Sequence, residues 1–141
     1  MAVALRVVGL ADLQETLTRL EKKTSSKIVR QAIRAGAKTI LDETKLHTPV
    51  DTGLMLRRMT VRAMKRKRGR TGYRLMFKNV NRLSGKTKAG GRTFYPAAVE
   101  YGTKHQAAQP FMREGFAAAA PRAEEQIARM IGSGILAAAK H

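Results

Sequence analysis

The sequence predicts an α+β domain, with a small antiparallel sheet packed against two or three helices, a long basic hairpin and a mobile loop. Apolar residues recur at helical spacing near both ends of the chain and alternate with period two in the middle. Between the alternating runs lie glycine-containing, strongly basic stretches with almost nothing to bury. At 141 residues the chain suits one domain, 1–141, with a single core.

Val3, Leu5 and Val7 alternate with Ala4, Arg6 and Val8, which predicts a short half-buried strand ending at Gly9. Leu10, Leu13, Leu17 and Leu20 then form one apolar stripe on a helix reaching about Lys23. Thr24, Ser25 and Ser26 are expected to interrupt that helix and cap a second one. Val29, Ile33, Ala37 and Leu41 stack at i, i+4 along the second helix, and Ala35-Gly36-Ala37 invites close approach by a neighbour. Pro49 bars Thr48 from helical geometry, so the helix is expected to close near His47.

Met59, Val61 and Ala63 form one alternating run, and Tyr73, Leu75 and Phe77 another. Lys65–Gly72 between them suits a hairpin tip projecting into solvent. Residues 79–93, rich in Gly, Lys, Ser and Thr, are expected as a mobile loop. The apolar run Phe94 to Tyr101 is expected as a third strand. Beyond Pro110 the pattern is helical again, with Pro121, Glu124 and Glu125 marking a fresh start. Gly132 and Gly134 are expected to loosen or end that helix, leaving 132–141 as a loosely held tail.

Charge is the outstanding compositional feature. The chain carries +18, and no acidic residue occurs between Asp51 and Glu100. The segment Arg57–Arg92 alone carries +14. Such a one-sided field repels itself and needs water, counterions or an anionic partner around it. A solvated face, a nucleic acid and an acidic protein surface each fit. The candidate partner-facing residues are Arg62, Lys65, Arg66, Lys67, Arg68, Arg70, Arg74, Lys86, Lys88 and Arg92. Contacts from them to nucleic acid reach phosphates and carry no sequence code. Tyr73 and Phe77 offer a stacking platform, but core packing explains them equally well.

Other chemistry finds little support. The chain has no cysteine, which excludes disulfides, thiolate zinc sites and cysteine nucleophiles. His47, His105 and His141 share no ligand spacing, so no metal or other cofactor is expected. Asp51-Thr52-Gly53 matches the aspartic-protease triplet, yet Pro49 and a helix precede it and Arg57 and Arg58 follow. The only later apolar-apolar-Gly segment, Met130-Ile131-Gly132, lies in a helical pattern. Pro49, Asp51, Thr52 and Gly53 instead suit a structural turn, with Asp51 in an Asx-turn and Gly53 free to take positive φ. That turn is expected to end a helix and launch a strand. No enzymatic activity is expected. The longest apolar stretches, Ala117–Ala120 and Ile135–Ala139, fall far short of the ~20 residues of a membrane span. A soluble protein without a targeting signal is therefore expected.

Three strings occur in one order: Thr48-Pro49-Val50-Asp51-Thr52-Gly53-Leu54, then Tyr95-Pro96-Ala97-Ala98-Val99-Glu100-Tyr101-Gly102-Thr103, then Gln109-Pro110-Phe111-Met112-Arg113. Together, over about residues 9 to 131, they resemble the tail-completion, or head–tail joining, family of tailed phages. Pro96 departs from the family pattern, which usually has tyrosine followed directly by alanine. The resemblance implies a structural virion protein of the neck, found in the host cytoplasm during assembly. It implies a homo-oligomeric ring touching the head connector or stopper and the tail terminator or tail tube. Genomic double-stranded DNA would pass through it non-specifically, and no membrane is involved. The expected assembly residues are Glu100, Tyr101, Gly102, Thr103, Pro110 and Phe111, with Glu100 pairing an arginine within or between subunits. A sequence-independent nucleic-acid-binding accessory protein is the alternative that explains the charge.

Overall fold

A computed structural model describes residues 22–50, 53–67, 70–79, 84–86 and 92–140. Along the chain these form α1 (Lys22–His47), α2 (Leu54–Arg58), β1 (Met59–Ala63), β2 (Tyr73–Phe77), β3 (Ser84–Lys86), β4 (Arg92–Phe94), α3 (Tyr95–Tyr101) and α4 (Phe111–Ala139). The class is α+β, as the periodicities predict. The strand expected at Val3–Val7 and the Leu10–Leu20 stripe lie outside the described residues.

The expected interruption at Thr24–Ser26 is absent, since α1 runs unbroken from Lys22 through these residues to His47. Hydroxyl side chains lower helix propensity by only a fraction of a kcal/mol each, about 0.5 relative to alanine, so packing overrides them. The helix closes where Pro49 requires. Thr44 and Thr48 are buried there, and each hydroxyl donates to the carbonyl four residues back, at 2.8 Å to Ile40 and 2.7 Å to Thr44.

β1 and β2 pair antiparallel in the register Met59↔Phe77, Val61↔Leu75 and Ala63↔Tyr73. Met59 and Phe77 are buried with Leu41, Met55, Val99 and Phe111 in the core, and Leu54, Val61, Leu75 and Met112 pack around them. Phe77 and Phe111 meet edge to face, centroids 6.4 Å apart. The turn after Pro49 leads into α2 and not directly into a strand, a correction to the expected order.

The apolar run after β4 is also helical. Tyr95–Tyr101 forms α3, and only Phe94 belongs to a strand. Adjacent residues Val99 and Glu100 are both buried, a pattern that a strand with one solvent face does not give. The expected loop at 79–93 contains regular pairing, with β3 and β4 forming a second ribbon in which Ser84 pairs with Phe94. Backbone hydrogen bonds sustain such a ladder without an apolar sequence, and sequence periodicity does not report them.

α1 and α4 pack antiparallel, with Ile28 beside Gly134, Gly36 beside Ile127, and Thr44 beside Gly115. At Gly115 a Cβ would stand 2.4 Å from the Thr44 Cα, so only glycine allows this spacing. Ala32, Ala119 and Ala123 fill the seam. The breaks expected at Pro121 and at Gly132–Gly134 do not occur, because α4 continues through all three to Ala139. Within residues 132–139 Ile135 is buried, and Gly134 makes room for Ile28. Pro121 is exposed, so the carbonyl left without a helical donor at Ala117, itself exposed, faces water.

Candidate nucleic-acid interface and the Glu100 cluster

The hairpin positions its charges by simple alternation. Met59 and Val61 of β1 and Leu75 and Phe77 of β2 pack in or against the core, while Arg62 and Arg74 are exposed. Arg62 and Arg74 are thereby placed directly opposite one another, both exposed. Beyond the strands the ladder continues, with the Met64 amide donating to Gly72 O at 2.9 Å. Lys67 and Arg70 then form an antiparallel bridge that closes the tip. Lys65, Arg66, Lys67 and Arg70 are all exposed. In the second ribbon Lys86 and Arg92 are Cα partners. Arg68 and Lys88 lie outside the described residues.

Three cross-strand positions thus oppose cation to cation: Arg62 with Arg74, Lys67 with Arg70, and Lys86 with Arg92. Like charges directly opposite in a ladder destabilise it, by roughly the 0.2–1 kcal/mol that opposite charges contribute. No acid between residues 51 and 100 relieves them. The arrangement attracts anions, and its repetition across two ribbons suits an extended polyanion better than a single ion.

The second cluster lies at the junction of α3 and α4. Glu100 is 4% exposed and accepts from the amides of Met112 (2.9 Å) and Arg113 (3.4 Å), capping α4 in place of Pro110. A carboxylate there also meets the positive end of the helix dipole. Arg113 Nε donates to Glu100 Oε1 at 3.0 Å, and Nη2 donates to the Glu100 carbonyl at 3.3 Å. The same guanidinium lies over the Tyr101 ring, 5.6 Å from its centroid. Glu100 therefore pairs with an arginine of its own chain.

The residues expected to mediate assembly divide on this geometry. Glu100 and Phe111 face inward and hold the fold, whereas Tyr101 and Thr103 are exposed, with Gly102 and Pro110 half-buried between them. Gly102 has φ 76°, and a Cβ on it would sit 2.8 Å from the Ala108 amide. This glycine reverses the chain into the exposed 103–109 loop, which Thr103 and Gln106 close by reciprocal backbone hydrogen bonds. Beside the loop, Pro96, Ala97, Tyr101, Met112 and Phe116 line an open apolar groove.

Of the proposed turn, Pro49 is half-buried and Gly53 has φ 69°, while Asp51 and Thr52 lie outside the described residues. Met130-Ile131-Gly132 is interior to α4, which removes the extended backbone that an aspartic-protease reading of Asp51-Thr52-Gly53 requires. Glu43 stands one helical turn before His47, but sequence spacing associated His47 with no carboxylate cluster. The fold brings it to 3.3 Å from Glu43 and 3.8 Å from Glu114, the latter contributed by α4. Among the described residues no group of three or more His, Cys, Asp or Glu could hold a metal ion. Nor is any described helix long and apolar enough to cross a membrane.

A basic double ribbon and a packed helical pair, in a chain with the three ordered strings, point to a structural protein. The comparison with protein families agrees: the family described as Bacteriophage HK97-gp10, putative tail-component, matches residues 11–102. The chain belongs to this family and is a structural tail component of a bacteriophage, acting with other phage structural proteins. The match includes the first string and the second as far as Gly102, and ends before the third, at Gln109–Arg113. No curated protein matches the chain, and no solved structure does.

Proposed function

We propose that the protein completes the phage tail at its head-proximal end, forming a homo-oligomeric ring between the head connector or stopper and the tail terminator or tail tube. DNA passes through the ring, and the basic ribbons face it. The observation that carries this reading is the set of opposed cations, Arg62 with Arg74 above all, on a projecting hairpin in a chain of the tail-component family. A ring multiplies the +18 of each subunit, so a polyanion threaded through it relieves a repulsion that grows with copy number. Assembly falls to the exposed Tyr101–Gln109 region and the groove beside it.

The mass of the purified protein, measured alone and after addition of tails lacking it, tests the ring. A multiple of the subunit mass on tails is the expected result, and a single copy per tail rules the ring out. Replacing Lys65, Arg66, Lys67 and Arg68 with Gln should leave ring formation and joining intact while weakening DNA retention. If that variant fails to join tails but keeps its DNA affinity, the hairpin docks on an acidic neighbour.

A further inference from the structure

The solvent face of α1 carries an array of its own. Lys27, Arg30, Arg34 and Lys38 follow at spacings of three, four and four, so they share one side of the helix, and all four are exposed. None makes an ion pair with a described residue. Asp42, the next acid along the row, forms no ion pair with Lys38. The other long helix behaves differently: on α4, Glu125 pairs with Arg129 at 2.7 Å, and Arg122 reaches Glu43 of α1. Arg30–Arg34 and Arg34–Lys38 are like-charge pairs at i, i+4, which destabilise a helix. A merely solvating face gains nothing from omitting the acids that α4 uses.

The row is also placed to continue the ribbon surface. Lys27, Arg34 and Leu41 recur every seven residues and so lie along one side of α1. Leu41 on that line packs in the core with Met59 of β1 and Phe77 of β2. Toward its N-terminal end, the side of α1 that covers the hairpin therefore becomes open and basic. From Lys27 to Lys38 the row is about 16 Å long, a length over which duplex DNA presents on the order of nine phosphates. The exposed row holds Lys27, Arg30, Gln31, Arg34 and Lys38, with no aromatic or aliphatic anchor. Protein interfaces place such anchors at their centre and deplete charge there, so the row fits a nucleic-acid backbone better than a protein.

We propose that this face of α1 is a second phosphate-binding surface. On it Lys27, Arg30, Arg34 and Lys38 neutralise the backbone of duplex DNA, together with the hairpin, irrespective of sequence. This rests on the DNA-facing reading of the ribbons. The test compares wild type, R30Q/R34Q/K38Q and R62Q/R74Q for binding to a random duplex of about 30 base pairs between 50 and 200 mM salt. Glutamine suits exposed helix positions, so the triple variant should melt no lower than wild type. Its salt slope should fall by about 2.7, making the loss of affinity over that salt range about 40-fold smaller than for wild type. If wild type and R62Q/R74Q differ while the α1 variant keeps the wild-type slope, the α1 surface is not a DNA contact and the ribbon reading survives. If wild type itself does not bind the duplex at 50 mM salt, both fall. An α1 variant that keeps the DNA slope but no longer joins tails would make this row a protein-docking face and overturn the proposal.

Discussion

Glu100 and Arg113 form an asymmetric ion pair, the carboxylate 6% exposed and the guanidinium 57% exposed at the side-chain level. Their roles differ accordingly. Glu100 satisfies two amides at the start of α4 as well as the arginine, so Glu100→Ala removes a cap and a buried charge partner together. We expect a loss of about 2–3 kcal/mol. Arg113→Ala leaves the carboxylate capped by both amides, and the removed group was mostly in water, so the loss should be about 1 kcal/mol. Urea midpoints measure both. Equal losses would mean that the helix cap contributes nothing beyond the ion pair.

Gly53 isolates a backbone effect. Its φ is 69°, and nothing lies within 4 Å of where a Cβ would be. Any cost of substitution there is conformational and not steric. Gly53→Val should therefore lose more than ~1 kcal/mol and Gly53→Asn distinctly less, because asparagine tolerates the left-handed region. Identical melting temperatures for the two variants would show that the positive φ is not maintained in solution.

Two glycines of α4 give opposite expectations for one substitution. Gly115→Ala would drive a Cβ to 2.4 Å from backbone at Thr44, forcing α1 and α4 apart at a cost of about 1–3 kcal/mol. Gly132→Ala meets open space and should stabilise by up to about 1 kcal/mol through helix propensity alone. Thermal melts of the two single variants decide this. The same sign of shift for both would disprove the close approach of the helices at Thr44.

These glycines also show where sequence reasoning stops. A glycine in a helical pattern reads as a break, and only its neighbour reveals a packing role; for Gly134 that neighbour is Ile28, far away in sequence. β1, β2 and the end of α1 were legible because each rests on a local rule, the alternation of a half-buried strand or the stop imposed by Pro49. α3 was not, since a seven-residue apolar run suits a strand as well as a helix. The signal against a strand was Pro96 followed by Ala97 and Ala98, a good helix start. For the candidate interface, the basic segment was evident from composition, but the opposition of Arg62 to Arg74 depends on hairpin register. The α1 row was legible at its i, i+3, i+4 spacing, yet a search for apolar stripes passes over it.

The opposed pair yields a prediction in which stability and function part. Arg62 and Arg74 repel across the ladder, and among the described residues no acid pairs with either. Arg74→Thr relieves the repulsion and places a strand-favouring residue on an exposed face, so the free subunit should gain about 0.2–1 kcal/mol. The gain should shrink as salt rises, because surface charges are screened over roughly 10 Å at 0.1 M. Binding to duplex DNA should change in the opposite direction, with the salt slope falling by about 0.9 because one phosphate is no longer neutralised. Paired measurements on the single variant, a urea titration at low and high salt and a DNA titration over the same range, separate the two effects. A variant that loses stability at low salt would show that the two guanidinium groups are not held against one another. A variant that gains stability while keeping the full salt slope would place Arg74 away from the DNA path.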